Sequence, residues 1–175
     1  MQEKLNKTCP ICKKKHLDVP LCYGGEAPYY LLELDPPLNE KNFNDRVELS
    51  SDQCVIDGNQ FFIRGHIDIK ILDNNEIFSW SVWCSVSEES FLHMSDNWEN
   101  NDRINFRAYF GYLMTIVEIY PDTLLQKVSI KSNEIGFVPS ISILDKKHPM
   151  TIDQQKGISY RKVLEINHKL NHSNI

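Results

Sequence analysis

Near the start of the chain stands "CPICKKKH", which places two cysteines and a histidine, Cys9, Cys12 and His16, within eight residues. A C-x2-C pair lets one tight turn present two thiolates to a single ion, and a histidine four residues further on adds an imidazole. Thiolate and imidazole together suit a tetrahedral zinc site of structural type. A structural site needs a fourth donor, and no second C-x2-C occurs in the chain. Cys54 is the first candidate, because it stands at the mouth of a hairpin and outside an apolar alternation that claims Cys84. His66, on the polar side of the following strand, is the second. Cys22 follows closely but sits in the apolar setting "VPLCY".

Two other readings compete with metal. A redox dithiol sits at a helix N-terminus after a strand, where the thiolate is stabilised. Only eight residues precede Cys9 and no βαβ pattern follows, which argues against that reading. The remaining alternative is a set of ordinary free thiols. Elsewhere, His66 beside Asp68 is the one pair with the makings of a catalytic dyad, although the polar side of a strand routinely carries such residues. There is no GxSxG, P-loop, GxGxxG or HExxH sequence, and no catalytic residue is assigned. His93, His148, His168 and His172 read as surface residues without a partner set.

The elements that would position the knuckle are those of an α+β protein. In "CVIDGNQFFIRGHIDIKIL", Asp57-Gly58 signals a hairpin turn between two strands. Ile63, Ile67, Ile69 and Ile71 then alternate with Arg64, His66, Asp68 and Lys70, as in a half-buried strand. "IFSWSVWCSVS" alternates again after the turn at Asp73-Asn74-Asn75. Turns this short join antiparallel neighbours, so a β-meander is expected. Ser87 should cap a helix with Phe91, Met94 and Trp98 on one face. "KVSIK" and "GFVPSISIL" predict two further strands, Thr151 with Gln154 suggests a capping box, and Ser159 should cap a last helix. The glycine pair of "VPLCYGG" reads as a turn. The expected architecture is an antiparallel β-meander with helices packed on one side and an N-terminal zinc-knuckle-like segment. It forms a single domain over 1–175, with the knuckle in 1–23 and the α+β body in 24–175.

At 175 residues with a net charge of −5, the chain can bury a core without disulfides and has the wrong sign for generic nucleic-acid binding. No window reaches the roughly 18–20 apolar residues of a membrane span, and the opening residues do not resemble a signal peptide. A cytoplasmic location, with reduced thiols, is therefore expected. Five cysteines, all between positions 9 and 84, do not look like a disulfide framework.

Taken together, "CPICKKKH", "SSDQCVIDGNQFFIRGHIDI", "FSWSVWCSVSEESF", "YFGYL", "YPDTL" and "HPMTIDQQKGIS" resemble the bacterial family catalogued as domain of unknown function 2199. The resemblance implies a bacterial source and a single domain, and it lends no activity. The family's cysteine pair and histidine match Cys9, Cys12 and His16, and the cysteine of its "DQCVI" stretch matches Cys54, which favours Cys54 over His66 as fourth ligand. Lys13 occupies a place where the family usually has glycine, and a lysine held at positive φ there costs roughly 1 kcal/mol. The expectation is a zinc-binding protein that acts as a binding or interaction module on a protein partner, with an immunity protein that occludes a bacterial toxin as its sharpest form. A thiol oxidoreductase or a metal-assisted hydrolase using Cys9 and Cys12 is the rival.

Overall fold

The computed structural model describes residues 7–16 and 18–172. Its backbone is organised by two long strands, β4 (Gln60–Lys70) and β5 (Ile77–Val86), paired antiparallel from Phe61 opposite Val86 to Lys70 opposite Ile77. The preceding turn is the expected one: Asp57 and Gly58 both have positive φ, 50° and 66°, at the centre of a turn closed by Asn59 N–H donating to Ile56 O at 3.1 Å. Before it come β2 (Val47–Leu49) and β3 (Gln53–Ile56), which extend the sheet antiparallel beyond β4.

Each long strand divides its outer edge between two partners. On β4, residues Gln60–Ile63 pair with β3, and His66 pairs in parallel with Ser140 of β8 (Ser140–Ile143). On β5, Ser79–Ser81 pair in parallel with β1 (Cys22–Gly24), and Cys84–Val86 pair with β6 (Tyr109–Leu113). β6, β7 (Lys127–Lys131) and β8 run antiparallel, so the circuit β4-β5-β6-β7-β8 closes on itself. The meander is thus only part of the design. Two parallel pairings complete it, and of the glycine pair expected to turn, Gly24 instead ends strand β1, with the 23/24 boundary falling inside that strand and the chain bending only after Gly25.

The larger core lies on the face of β4 and β5 carrying Ile63, Ile67, Ile69, Phe78, Trp80, Val82 and Cys84. Three helices add to it: α2 (Glu88–Asp96) with Phe91 and Met94, α3 (Pro149–Lys156) with Met150, and α4 (Tyr160–His172) with Val163, Leu164 and Ile166. Ser87 caps α2 by accepting the Ser90 amide at 3.2 Å, and Ser159 accepts the Lys162 amide at the start of α4, both as the sequence implies. At α3 the expected capping box is displaced. His148 is the cap, accepting from Met150 N–H, and Pro149 sets the first turn, which leaves Thr151 inside the helix. The opposite face of β4 and β5 is buried in part as well. Phe62 and Trp83 meet Leu34, Val47, Cys54, Ile56 and Met114 in a second, smaller cluster flanked by the short helix α1 (Phe43–Arg46). No helix among the described residues is long and apolar enough to cross a membrane.

Two predictions follow from this packing. A Cβ on Gly65 would come within 2.6 Å of the Pro139 carbonyl oxygen and 2.7 Å of Ile141, so Gly65→Ala should cost about 1–3 kcal/mol as overpacking at the β4–β8 closure. Urea unfolding measures it, and an unchanged midpoint would contradict the closed circuit. Separately, the Arg46 guanidinium donates to both carboxylate oxygens of Asp57, each at 2.7 Å, and holds that carboxyl below its ordinary value. Because the folded value is the lower one, this contribution is present above the unfolded carboxylate pKa and is lost as the pH falls through the folded value. The stability gap between wild type and Asp57→Asn, followed by thermal melts, should therefore shrink from about pH 4 downward.

Candidate metal centre

The knuckle is a small hairpin of its own. Thr8 and Lys15 form an antiparallel bridge, and His16 N–H donates to Lys7 O at 3.0 Å. Cys9 N–H donates to Lys14 O at 2.9 Å, and Lys13 N–H returns to Cys9 O at 3.0 Å. Lys13 takes the positive φ, 61°, that closes such a turn. Its ammonium folds back onto the Pro10 carbonyl at 2.6 Å, a clamp on the turn that residue types alone did not disclose.

This backbone gathers the donor atoms of Cys9, Cys12 and His16 so that all lie within 4.8 Å of one another. Cys12 Sγ and His16 Nε2 are 3.2 Å apart. Zinc–ligand bonds of about 2.0–2.3 Å in a tetrahedron separate neighbouring donors by roughly 3.3–3.8 Å, so small rotamer changes suffice to seat an ion. Cys9 is fully buried, whereas Cys12 and His16 are half-buried.

The electrostatics of the cysteines differ in sign. Burial alone pushes the Cys9 thiol up, and the charge of Glu165 on α4 adds to that. The backbone N–H groups of Cys12 and Ile11 and the Cys12 side chain outweigh both, so Cys9 titrates below its ordinary value. Peptide N–H groups aimed at a sulfur are what a metal thiolate needs. Burial instead pushes Cys54 up to about 11, and it raises Cys22 and Cys84 too.

Of the four expected ligands, the structure brings three together. Cys54 lies elsewhere, on β3 between Leu49 and Phe62, buried in the smaller apolar cluster with Leu34, Trp83 and Met114. The reason is register. β3 starts at Gln53, so Cys54 falls in step with Ile56 on the buried side. His66 stands half-buried on β4 opposite Ser81 and outside the gathered set. His148 is a buried helix cap whose Nε2 bonds the Pro121 carbonyl oxygen at 2.8 Å, and His93 Nδ1 meets the Tyr109 hydroxyl at 2.8 Å. His93 is exposed, as expected, but has a partner, whereas His148 is not a surface residue at all.

Fold and site together define an α+β domain whose closed sheet carries an N-terminal Cys–Cys–His hairpin able to hold a metal ion. The chain belongs to the family described as uncharacterised proteins conserved in bacteria, domain of unknown function 2199, whose model matches residues 8–158. The match takes in the hairpin and the sheet and stops before α4. No curated protein and no solved structure matches the chain.

Protein purified without chelator should carry near one zinc per chain by plasma mass spectrometry. Cys9→Ser and Cys12→Ser should weaken binding by more than about tenfold, and affinity should fall with acid, because protons compete for two thiolates and an imidazole. Cys54→Ser should keep its metal and lose about 1–3 kcal/mol of stability, from a hydroxyl placed in an apolar cluster. Equal metal loss in Cys9→Ser and Cys54→Ser would reverse this assignment.

Proposed function

We propose that this protein is a zinc-stapled binding module, in which a structural metal fixes the N-terminal hairpin and the sheet presents a surface to a protein partner. The observation that carries the reading is the convergence of Cys9, Cys12 and His16 around a buried, hydrogen-bonded thiol. A second feature supports the partner. Phe110 and Tyr112 on the outer face of β6 are 49% and 40% exposed and pack edge to face, with the exposed Leu125 and Leu144 at the neighbouring strand ends. Exposed aromatic and aliphatic side chains grouped this way are typical of contact surfaces. A toxin-immunity protein is the sharpest form of the reading, and its small size and net charge of −5 are compatible with it. A reducing cytoplasm is the compartment that keeps the thiols available.

One observation favours a second reading, a metal-assisted hydrolase. Three gathered protein ligands are the number that catalytic zinc sites use, with water in the fourth position. The dithiol oxidoreductase loses ground, because Cys9 is fully buried and the pair lies in a hairpin rather than at a helix N-terminus.

Purification from the native host should recover a stoichiometric protein partner, and Phe110→Ser combined with Tyr112→Ser should abolish its capture without lowering the melting temperature. Recovery of no such partner would overturn the binding module. In cobalt-substituted protein, azide should leave the visible absorption unchanged if a further protein donor closes the fourth position, as the structural reading requires, whereas a shifted spectrum would favour the hydrolase.

A further inference from the structure

The outer edge of β5 is where the sheet forks. Up to Ser81 that edge is paired with β1, and from Cys84 it is paired with β6. The chain leaving β6 then peels away. Met114 N–H still donates to Trp83 O at 2.7 Å, but Trp83 N–H finds the Thr115 hydroxyl, at 2.8 Å, in place of a carbonyl. Thr123 secures the departing segment by accepting the Val117 amide at 2.9 Å and donating to Thr115 O. A cavity of about 660 Å³ occupies the wedge between the two diverging chains.

Hydrogen bonds hold this wedge open. The Trp83 indole donates to Gly25 O at 3.1 Å, and Tyr29 N–H donates to Met114 O at 2.8 Å, which spans the two walls. From α4, the side-chain amides of Asn167 and Asn171 both donate to the Tyr23 hydroxyl, at 2.6 and 3.2 Å. That hydroxyl has accepted twice and retains its own proton to give. A volume of this size with walls fixed in advance is in the ordinary range for a small-molecule site.

The lining sets the chemistry of the occupant. The half-buried Tyr23 and Tyr29 line the cavity, with the buried Trp80 behind them and Met114, Val117 and Leu170 among the apolar walls. The charged residues of the lining, Glu118 and Lys169, are both exposed and so belong to the rim. An ionised group drawn inside would lose its water with no counter-charge at depth. At the mouth stand Ile116, 48% exposed, and Leu32, 79% exposed, on a 3-10 turn (Tyr29–Glu33) in which no residue is buried. Apolar side chains left in water around a concavity favour an apolar occupant.

We propose that the fork between β1 and the chain leaving β6 is a binding site for an uncharged aromatic small molecule, held against Tyr23 and Tyr29 with Trp80 at its floor. None of Cys9, Cys12 and His16 lines it, so the site is independent of the metal centre.

The test is a fluorescence titration of the full, zinc-loaded chain with N-phenyl-1-naphthylamine, a neutral aromatic probe, together with NMR of the Trp80 indole N–H. The expected result is saturable binding of one probe per chain, with a shift of that indole resonance. The sulfonated analogue, which carries a charge on the same rings, should bind at least about tenfold more weakly. Ala27→Phe, which fills the cavity from its lining, should weaken the neutral probe at least about tenfold at unchanged melting temperature. Non-saturable binding, equal affinity for the charged analogue, or shifts confined to Phe110 and Tyr112 on β6 would overturn the proposal. If Ala27→Phe does not fold, the Trp80 shift in the wild type decides alone.

Discussion

The structure depends on one antiparallel pair, β4 with β5, that is buried along one face and in part on the other. Ile63, Ile67 and Ile69 lie in register with Cys84, Trp80 and Phe78 towards the larger core, and Phe62 and Trp83 point the other way into the smaller one. Each such side chain removed from water contributes about 1.5–3 kcal/mol, so slipping the pair by one residue would exchange both cores at once. The register is therefore fixed, and with it the two outer edges. β4 divides its edge between β3 and β8, and β5 divides its edge between β1 and β6. The closed circuit and the fork at Ser81 both descend from strands that outlast their neighbours.

Local patterns made much of this legible. The isoleucine alternation of β4, the Asp57-Gly58 turn and the Ser87 and Ser159 caps rest on neighbours in the sequence, and each appears where its chemistry puts it. The parallel pairings were hidden because no short-range signal encodes them. Cys22–Gly24 resembles a turn until β5 offers it an edge. There a Cβ on Gly24 would come within 2.1 Å of Ser81 O, so glycine serves close approach of two backbones rather than a bend. His148 was misjudged for a similar reason. Its cap bond to Met150 is local, but the Pro121 carbonyl oxygen that buries its other nitrogen comes from a distant turn.

At the metal centre the same division holds. Cys9, Cys12 and His16 lie within one hairpin, so their spacing alone brings them together, and the positive φ of Lys13 follows from the turn that spacing demands. Cys54 required knowledge of where β3 begins. With the strand started at Gln53, cysteine behaves as a small apolar residue in the buried register, and burial stabilises its thiol over its thiolate. Its neighbours, Phe62 and Trp83, are the side chains that β4 and β5 turn away from the main core.

The hairpin itself has little to hold it. Among its described residues the apolar side chains are the buried Cys9, the half-buried Pro10 and the half-exposed Ile11, and Lys13 sits in a backbone conformation that costs roughly 1 kcal/mol. A few backbone hydrogen bonds near solvent contribute only about 0.5–1.5 kcal/mol each, which barely offsets the ordering of ten residues. The sheet, by contrast, has two cores that contain none of the three gathered ligands. Metal-binding free energy in this arrangement is local folding free energy. An ion held there would order the segment that leads into β1 and leave the closed circuit to stand on its own packing. A metal ion held in this way would decide whether the N-terminal hairpin is ordered, while the sheet that carries Phe110 and Tyr112 would fold without it.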